Sequence, residues 1–186
     1  MRFNTHSHLA GLHATLSASQ NAWTNYDSDK LEAVYRAKLA AQHGSDLHEF
    51  AAQAIRLNQR LEETSQTVNM YVNDAIGFRM VPEQVLFYSV DAFGTADAIS
   101  FRDDFLRIHD LKTGLTEAGV RQLEVYAAFF CLEYGYNPFK LAGMEFRIYQ
   151  SDEIKIFEGD PHTITQLMET TKMFSANIAR LRAEVE

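Results

Sequence analysis

The chain has 186 residues, of which 46% are hydrophobic, so it can bury one sizeable core and we expect a single domain over residues 1–186. The formal net charge of −8 argues against tight, unaided binding to long nucleic-acid duplexes, because binding a polyanion draws on Lys and Arg side chains. A single cysteine, Cys131, excludes an intrachain disulfide framework and a four-cysteine iron–sulfur cluster, and the lack of a long apolar run or an apolar signal core predicts no membrane segment.

The N-terminal segment, residues 1–23, is polar and precedes the first predicted helix. It contains histidines at irregular spacing, namely His6, His8 and His13. Irregular spacing in a terminal segment argues against a dedicated metal site there.

Two helices are predicted next, each opened by an Asp-x-x-Glu capping box. The first runs from Asp29 to about Gln42 and ends at Gly44. The second begins at Asp46 and carries an apolar stripe with helical spacing.

The rest of the chain alternates between helical and extended patterns. Apolar residues recur with helical spacing in some segments and with period 2 in others. The predicted elements are a helix over 66–76, a strand over 83–90, two strands within 94–112 joined by a turn at 102–104, a helix over 117–134, a hairpin over 144–158 and a last helix that starts at Asp160. This order predicts an α/β fold with a mixed central sheet of about four or five strands flanked by helices.

The pair of strands within residues 94–112 carries the most informative charges. Side chains two residues apart on a strand share a face, so Asp110 and Lys112 project together. Asp97 lies on the preceding strand and comes close to Asp110 once the hairpin closes. Two carboxylates repel each other unless a cation lies between them, and paired oxygen ligands suit a hard ion such as Mg²⁺. An exposed hairpin with an ordinary salt bridge is the alternative that spacing leaves open.

Three short motifs follow one another in this part of the chain: Gly94-Thr95-Ala96-Asp97, Asp110-Leu111-Lys112-Thr113-Gly114 and Gln122-Leu123-Glu124-Val125-Tyr126. They resemble the GxxD, D-x-K-[TS]-G and QxxxY elements of the PD-(D/E)XK nuclease superfamily, specifically of its RecB-type and phage-exonuclease branches. The resemblance spans roughly residues 17–149. It implies a restriction-endonuclease-like core and a single nuclease-like domain.

The resemblance also implies a chemistry, which is hydrolysis of phosphodiester bonds assisted by one or two Mg²⁺ or Mn²⁺ ions. In such enzymes the residues that match Asp97, Asp110 and the backbone carbonyl of Leu111 hold the metal. Lys112 would orient or activate the attacking water and stabilise the transition state electrostatically.

Further ligands are implied by the segment Gly44-Ser45-x-x-His48-Glu49, which resembles the first motif of RecB-type nucleases. The helical histidine of that motif adds a metal ligand, which makes His48 the candidate here and Glu49 its substitute. Glu83 is a secondary candidate, because it begins the strand predicted over 83–90 and relatives often have an acidic residue where that strand starts. A capping or surface carboxylate is the other interpretation of Glu83.

Substrate contacts are implied at several further positions. Gln122 and Tyr126 stand at i and i+4 and share one edge of their helix, and in the family the Gln contacts the substrate backbone while the Tyr supports it. Thr113 belongs to the same implied set. Ser17 and Ser19 lie in a segment similar to the first helix of phage exonucleases, where a helix start could hold a terminal phosphate.

The function implied is that of a DNA exonuclease from phage or bacterial recombination and repair, active in the cytoplasm of a bacterial or phage-infected cell. DNA is the expected substrate ahead of RNA, and a protein partner or a homo-oligomer is compatible with the sequence. Two alternatives remain open. The first is a catalytically silent nuclease-fold protein that binds nucleic acid or a host protein, and the second is an acidic interaction protein that mimics nucleic acid.

Overall fold

The computed structural model describes residues 4–9 and 11–184. The chain divides into two compact units, Met1–His43 and Gly44–Glu186. The expectation of a single nuclease-like domain stays a prediction. No helix in the described part of the chain is long and apolar enough to cross a membrane.

The first unit contains two short 3-10 helices, Ser7–Leu9 and Asn21–Asn25, and the first half of helix α1, Ser28–Arg56. The Asp27 carboxylate accepts a hydrogen bond from the Lys30 N–H at 2.7 Å. This contact satisfies one of the free N–H groups at the helix start. The capping box predicted at Asp29 is therefore wrong by two residues.

Helix α1 also corrects the prediction of two helices separated at Gly44, because it continues without a break to Arg56. A glycine inside a helix costs only about 1 kcal/mol relative to alanine, so it does not by itself end one. Gly44 is buried, and a Cβ at this position would lie 2.6 Å from Thr113 Oγ1. The glycine therefore allows close packing, and Asp46 lies inside the helix rather than at its start.

The second unit is built on a five-stranded sheet in the order β1-β2-β3-β4-β5. Strands β3 and β4 pair in parallel and the other neighbours are antiparallel. The strands are β1 Val81–Ser89, β2 Ala92–Arg102, β3 Phe105–Lys112, β4 Gly143–Gln150 and β5 Glu153–Glu158. The predicted α/β fold with a mixed sheet flanked by helices is confirmed.

Three further helices complete the architecture: α2 Thr67–Gly77, α3 Arg121–Tyr134 and α4 Pro161–Ala183. Helices α3 and α4 cover one face of the sheet, over a core that includes Leu106, Ile108, Phe146 and Ile164. Helix α2 and the last turns of α1 cover the other face, over a core that includes Ala51, Val72, Leu111 and Tyr149. Strand β3 is therefore buried on both sides near its end.

The ends of these helices test the capping predictions. Asp160 accepts hydrogen bonds from the N–H groups of His162 and Thr163, both at 3.1 Å, so the predicted start of the last helix is confirmed. Gly135 closes α3 with φ +71°, a conformation that favours glycine. Helix α3 begins at Arg121, so the predicted start at residue 117 is wrong.

Candidate metal centre

Three carboxylates lie at the same level on three neighbouring strands. The pairs Pro82–Ala98 and Gln84–Ala96 place Glu83 of β1 opposite Asp97 of β2. The pairing of Ala98 with His109, extended by one residue, places Asp97 opposite Asp110 of β3. The sheet thus forms an acidic row across β1, β2 and β3.

The strands are irregular at this row. Glu83 has φ +52°, which is uncommon for a residue with a side chain. Ala96 and Ala98 belong to the cores on opposite faces of the sheet, although residues two apart on a regular strand share a face. The side-chain alternation of β2 therefore slips by one residue at Asp97. Backbone strain of this kind costs on the order of 1–3 kcal/mol and tends to occur at functional sites.

His48 extends the acidic row from helix α1. Ligand atoms of His48, Glu83 and Asp97 all lie within 4.8 Å of one another. His48 Nδ1 is 3.5 Å from Asp97 Oδ2. The hydrogen bond with Asp97 raises the pKa of His48, although burial acts in the opposite direction. Glu49, the substitute for His48, is exposed and is not part of this group.

Glu83, the secondary candidate, thus lies inside the group. Burial raises the pKa of the Glu83 carboxyl and the charge of Asp97 raises it further, whereas His48 and Arg56 lower it. Its placement depends on the positive φ and on the β1–β2 register, which no local pattern in the sequence reveals.

Asp110 is the most deeply buried carboxylate of the row, with a side chain that is 2% exposed. Its pKa is raised to about 6, first by burial and then by the charge of Asp97, and Lys112 opposes both effects. Oδ1 accepts a hydrogen bond from Lys112 Nζ at 2.8 Å. Oδ2 is buried without a hydrogen-bond partner among the described residues.

The arrangement around Leu111 differs from the predicted carbonyl contact. The Leu111 N–H donates a hydrogen bond to Asp97 Oδ2 at 2.8 Å. This bond fixes the Asp97 carboxylate against β3, and the same oxygen is the one near His48 Nδ1. The predicted role of the Leu111 carbonyl as a ligand stays a prediction.

These donors fit a divalent cation. A buried carboxylate oxygen without a partner is costly, and like charges raise that cost, so a cation among these carboxylates would offset both. Carboxylate oxygens suit Mg²⁺ and Mn²⁺, and a histidine nitrogen suits several transition metals. The residues present are therefore able to hold an ion of this class.

A chain of hydrogen bonds leads from the acidic row to helix α3. Lys112 Nζ donates to Gln122 Oε1 at 3.0 Å as well as to Asp110, and Gln122 Nε2 donates to Tyr126 Oη at 2.9 Å. A Cβ on Gly94 would lie 2.9 Å from the Tyr126 ring, so the glycine allows the ring to pack on the β2 backbone. The three motifs therefore meet in space.

The loop between Lys112 and α3 is held by Gln150, a residue that the sequence analysis missed. Gln150 Nε2 donates to the carbonyls of Gly114 and Thr116 at 2.6 and 2.8 Å, and its Oε1 accepts from the Ala118 N–H at 3.1 Å. These bonds keep residues 114–118 out of the helix, which explains the late start of α3. The one available signal was a glutamine at the end of the strand that pairs with β3.

The two serines of the first unit do not stand at a helix start. Ser17 and Ser19 lie in an irregular segment, and their hydroxyls are 3.0 Å apart. The Ser17 carbonyl accepts a hydrogen bond from Trp23 Nε1 at 2.7 Å. The helix predicted here is wrong: the next helical segment is the five-residue 3-10 helix Asn21–Asn25, which is too short for its N–H groups to support a phosphate site.

Comparison of the chain with family models, with curated proteins and with solved structures gives no match. The relation to the PD-(D/E)XK superfamily therefore rests on the three motifs and remains an inference from them.

Proposed function

We propose that this chain is a metal-dependent nuclease of the PD-(D/E)XK type that hydrolyses phosphodiester bonds of DNA. The observation that carries the proposal is the group of His48, Glu83 and Asp97 beside the Asp110–Lys112 pair, whose carboxyl is affected by the charges of Asp97 and His48. These residues come from α1, β1, β2 and β3 and are separated in sequence. Structural ion pairs alone do not require three carboxylates at one level of a sheet.

In this proposal the carboxylates of Glu83, Asp97 and Asp110 and the imidazole of His48 hold a Mg²⁺ or Mn²⁺ ion. A bound ion of this kind lowers the pKa of a water and offsets charge that develops on the phosphate. The carboxylates must be deprotonated to serve as ligands, so binding of the ion competes with the proton that the raised pKa of Asp110 favours.

In this proposal Lys112 donates a hydrogen bond to the phosphate and is not a ligand of the ion. An ammonium has three N–H donors, and Asp110 and Gln122 take two of them. The third is left for a phosphate oxygen or for the attacking water. Gln122, fixed by Tyr126, holds the ammonium in one direction, and a positioned donor of this kind stabilises charge in the transition state.

The finer features of the proposal rest on the resemblance of the motifs. They are action from DNA ends, a role in phage or bacterial recombination and repair, and a preference for DNA over RNA. The serine hydroxyls that the sequence analysis assigned to end recognition gain no support from the local structure, so the preference for ends depends on the motifs alone.

The test is cleavage of linear and covalently closed circular DNA with Mn²⁺, with Mg²⁺ and with EDTA. We expect metal-dependent cleavage by the wild type, faster on linear DNA, and loss of cleavage in Asp97→Asn. Asp104→Asn is the matched control, because Asp104 is exposed in the β2–β3 turn at φ +57°, a conformation that asparagine tolerates. A folded wild type that binds DNA but cleaves neither substrate with either metal would favour the catalytically silent alternative. Equal rates on both substrates would reject the end preference alone.

A further inference from the structure

A cavity of about 220 Å³ lies where the beginning of β1 meets the end of β2. Its walls are formed by both strands, by the residues just before β1 and by the last turns of α3. The lining residues are Arg79, Val81, Gln84, Leu86, Ile99, Ser100, Phe101, Arg102, Phe130 and Tyr134.

The charge of this cavity is opposite to that of the whole chain. The chain has 25 acidic and 17 basic residues, yet no carboxylate lines the cavity and two arginines do. Within residues 44–184, neither Arg79 nor Arg102 has a side-chain hydrogen bond or an ion pair. Asp103 and Asp104 follow Arg102 in the turn, but they do not line the cavity. Two free guanidinium groups without a nearby carboxylate partner select for an anion.

The remaining lining suits a phosphate attached to an organic group. Tyr134 is 52% exposed, and its ring packs on Phe130 at 5.0 Å between centroids. Ser100 is 8% exposed and adds a hydroxyl to the floor of the cavity. Pockets for free small molecules measure about 300 Å³ or more, so this cavity suits one segment of a polymer better than an independent metabolite.

The cavity and the candidate metal centre lie on the same two strands, β1 and β2. Gln84 lines the cavity, and its neighbour Glu83 belongs to the metal group. Arg102 follows Asp97 by five residues on β2, about 17 Å at a strand rise of roughly 3.4 Å per residue. A phosphate backbone places a charge at every nucleotide, so a separation of this size corresponds to a few nucleotides along one strand.

We propose that the Arg79–Arg102 cavity binds a backbone phosphate of the nucleic-acid strand whose scissile bond lies at the metal centre. This inference rests on the proposed function and adds a path for the substrate along the start of β1. It also accounts for nucleic-acid binding by a chain of net charge −8, because two arginines without a carboxylate partner would lie where the strand passes.

The experiment is DNA binding in EDTA, where cleavage is blocked, at a series of salt concentrations. Arg79→Gln and Arg102→Gln each remove one charge and keep a polar side chain of similar reach. We expect each variant to weaken binding and to reduce the slope of log K against log salt by about 0.9, the change for one lost phosphate contact. Oligonucleotides too short to reach from the metal centre to the cavity should not distinguish the variants from the wild type.

Lys140→Gln is the matched control, because Lys140 is also a cation without an ion pair in the described residues but does not line the cavity. It should leave both the affinity and the slope unchanged. If Arg79→Gln and Arg102→Gln behave like Lys140→Gln, the cavity is not on the substrate path and the inference is wrong.

Failure of the proposed function gives a different result. If the wild type neither binds nor cleaves DNA, inorganic phosphate tests the cavity by itself through the thermal unfolding midpoint. A phosphate-dependent rise in Tm that the double variant lacks would retain the anion site and reject only its nucleic-acid ligand. No rise in the wild type would reject the site as well.

Discussion

His109 and Asp110 are neighbours on β3, and both are buried, with 0% and 1% of their surfaces exposed. Successive strand residues face opposite sides, so His109 faces α2 and Asp110 lies with Lys112 at the candidate metal centre. Burial moves both groups toward their neutral forms. The two sites differ in what surrounds each group.

His109 is surrounded by a structural network. Tyr149 Oη donates to Asp74 Oδ2 at 2.7 Å, so it accepts from His109 Nδ1, 3.2 Å away, and the imidazole is the neutral Nδ1–H tautomer. Burial lowers the pKa of His109 to about 3, and Arg147 and Arg107 lower it further. Only the Nε2 lone pair lacks a partner among the described residues. A neutral ring needs no counter-charge at this site.

Asp110 lies among groups that do not complete its site. Its neighbours across the sheet include Asp97, and its Oδ2 has no partner within the described residues. Lys112 and His48 offset part of the negative charge, but Asp97 adds another, and the pKa of Asp110 is still raised. The comparison shows that burial of a titratable group does not by itself indicate function. The indication comes from like charges that the protein alone leaves unbalanced.

Of the changes that test this difference between the two sites, Asp110→Asn should have the largest effect. It keeps the shape of the side chain and removes its charge. In wild-type protein, Mn²⁺ at 100 times its Kd should raise the free energy of unfolding by about 2.7 kcal/mol, because only the folded site binds the ion. The variant should lose this gain and, in EDTA at pH 8, should be at least as stable as the wild type. Thermal unfolding with and without Mn²⁺ measures both. A variant that retains the full metal-induced shift would place the ion elsewhere.

The next effect concerns Lys112→Ala, which removes the ammonium and keeps the carboxylates. Activity should fall on the order of 100-fold or more, the scale seen when one transition-state donor is lost. Metal binding should survive, because an ammonium is not a ligand and its removal lessens the local positive charge. Calorimetric titration with Mn²⁺ tests this division of roles. Loss of metal binding in the variant would reassign Lys112 to holding the carboxylates in place.

The smallest effect is expected from His109→Leu, and its sign depends on pH. The folded-state pKa of His109, about 3, lies below its ordinary 6.5, so its contribution to stability is present above pH 6.5 and is lost as the pH falls. The folded-state pKa of Asp110, about 6, lies above its ordinary 3.8, so in metal-free protein its contribution is present at low pH and is lost as the pH rises through 6. The two residues therefore give opposite pH slopes between about pH 4 and 6.

In EDTA at pH 8, the free energy of unfolding of His109→Leu should differ from that of the wild type by less than about 1 kcal/mol. At pH 5 the variant should gain stability relative to the wild type. Asp110→Asn should show the reverse order. Metal-induced stabilisation and nuclease activity should be unchanged in His109→Leu. Melting curves of both variants at the two pH values decide this, and parallel pH profiles would show that the difference between the two sites is not electrostatic.

Much of this fold follows from local sequence. The period-2 pattern within residues 94–112 placed Asp110 and Lys112 on one face, and the structure joins them at 2.8 Å. The Asp160–Pro161 start of α4 and the Gly135 end of α3 were also readable, because caps depend on a few neighbouring residues. The alternation of helices and strands predicted the α/β class for the same reason.

What the tertiary structure alone decided involves contacts between distant segments. Gly44 is typical of a helix end by local pattern, yet α1 continues through it, and Thr113 Oγ1 occupies the space that a Cβ would need. Gln150 delays the start of α3 by binding a loop more than thirty residues earlier in the chain. Glu83 enters the metal group through a strained φ and a cross-strand register. Local patterns encode periodicity and caps, whereas a close approach or a strained conformation exists only when the packed elements around it impose it.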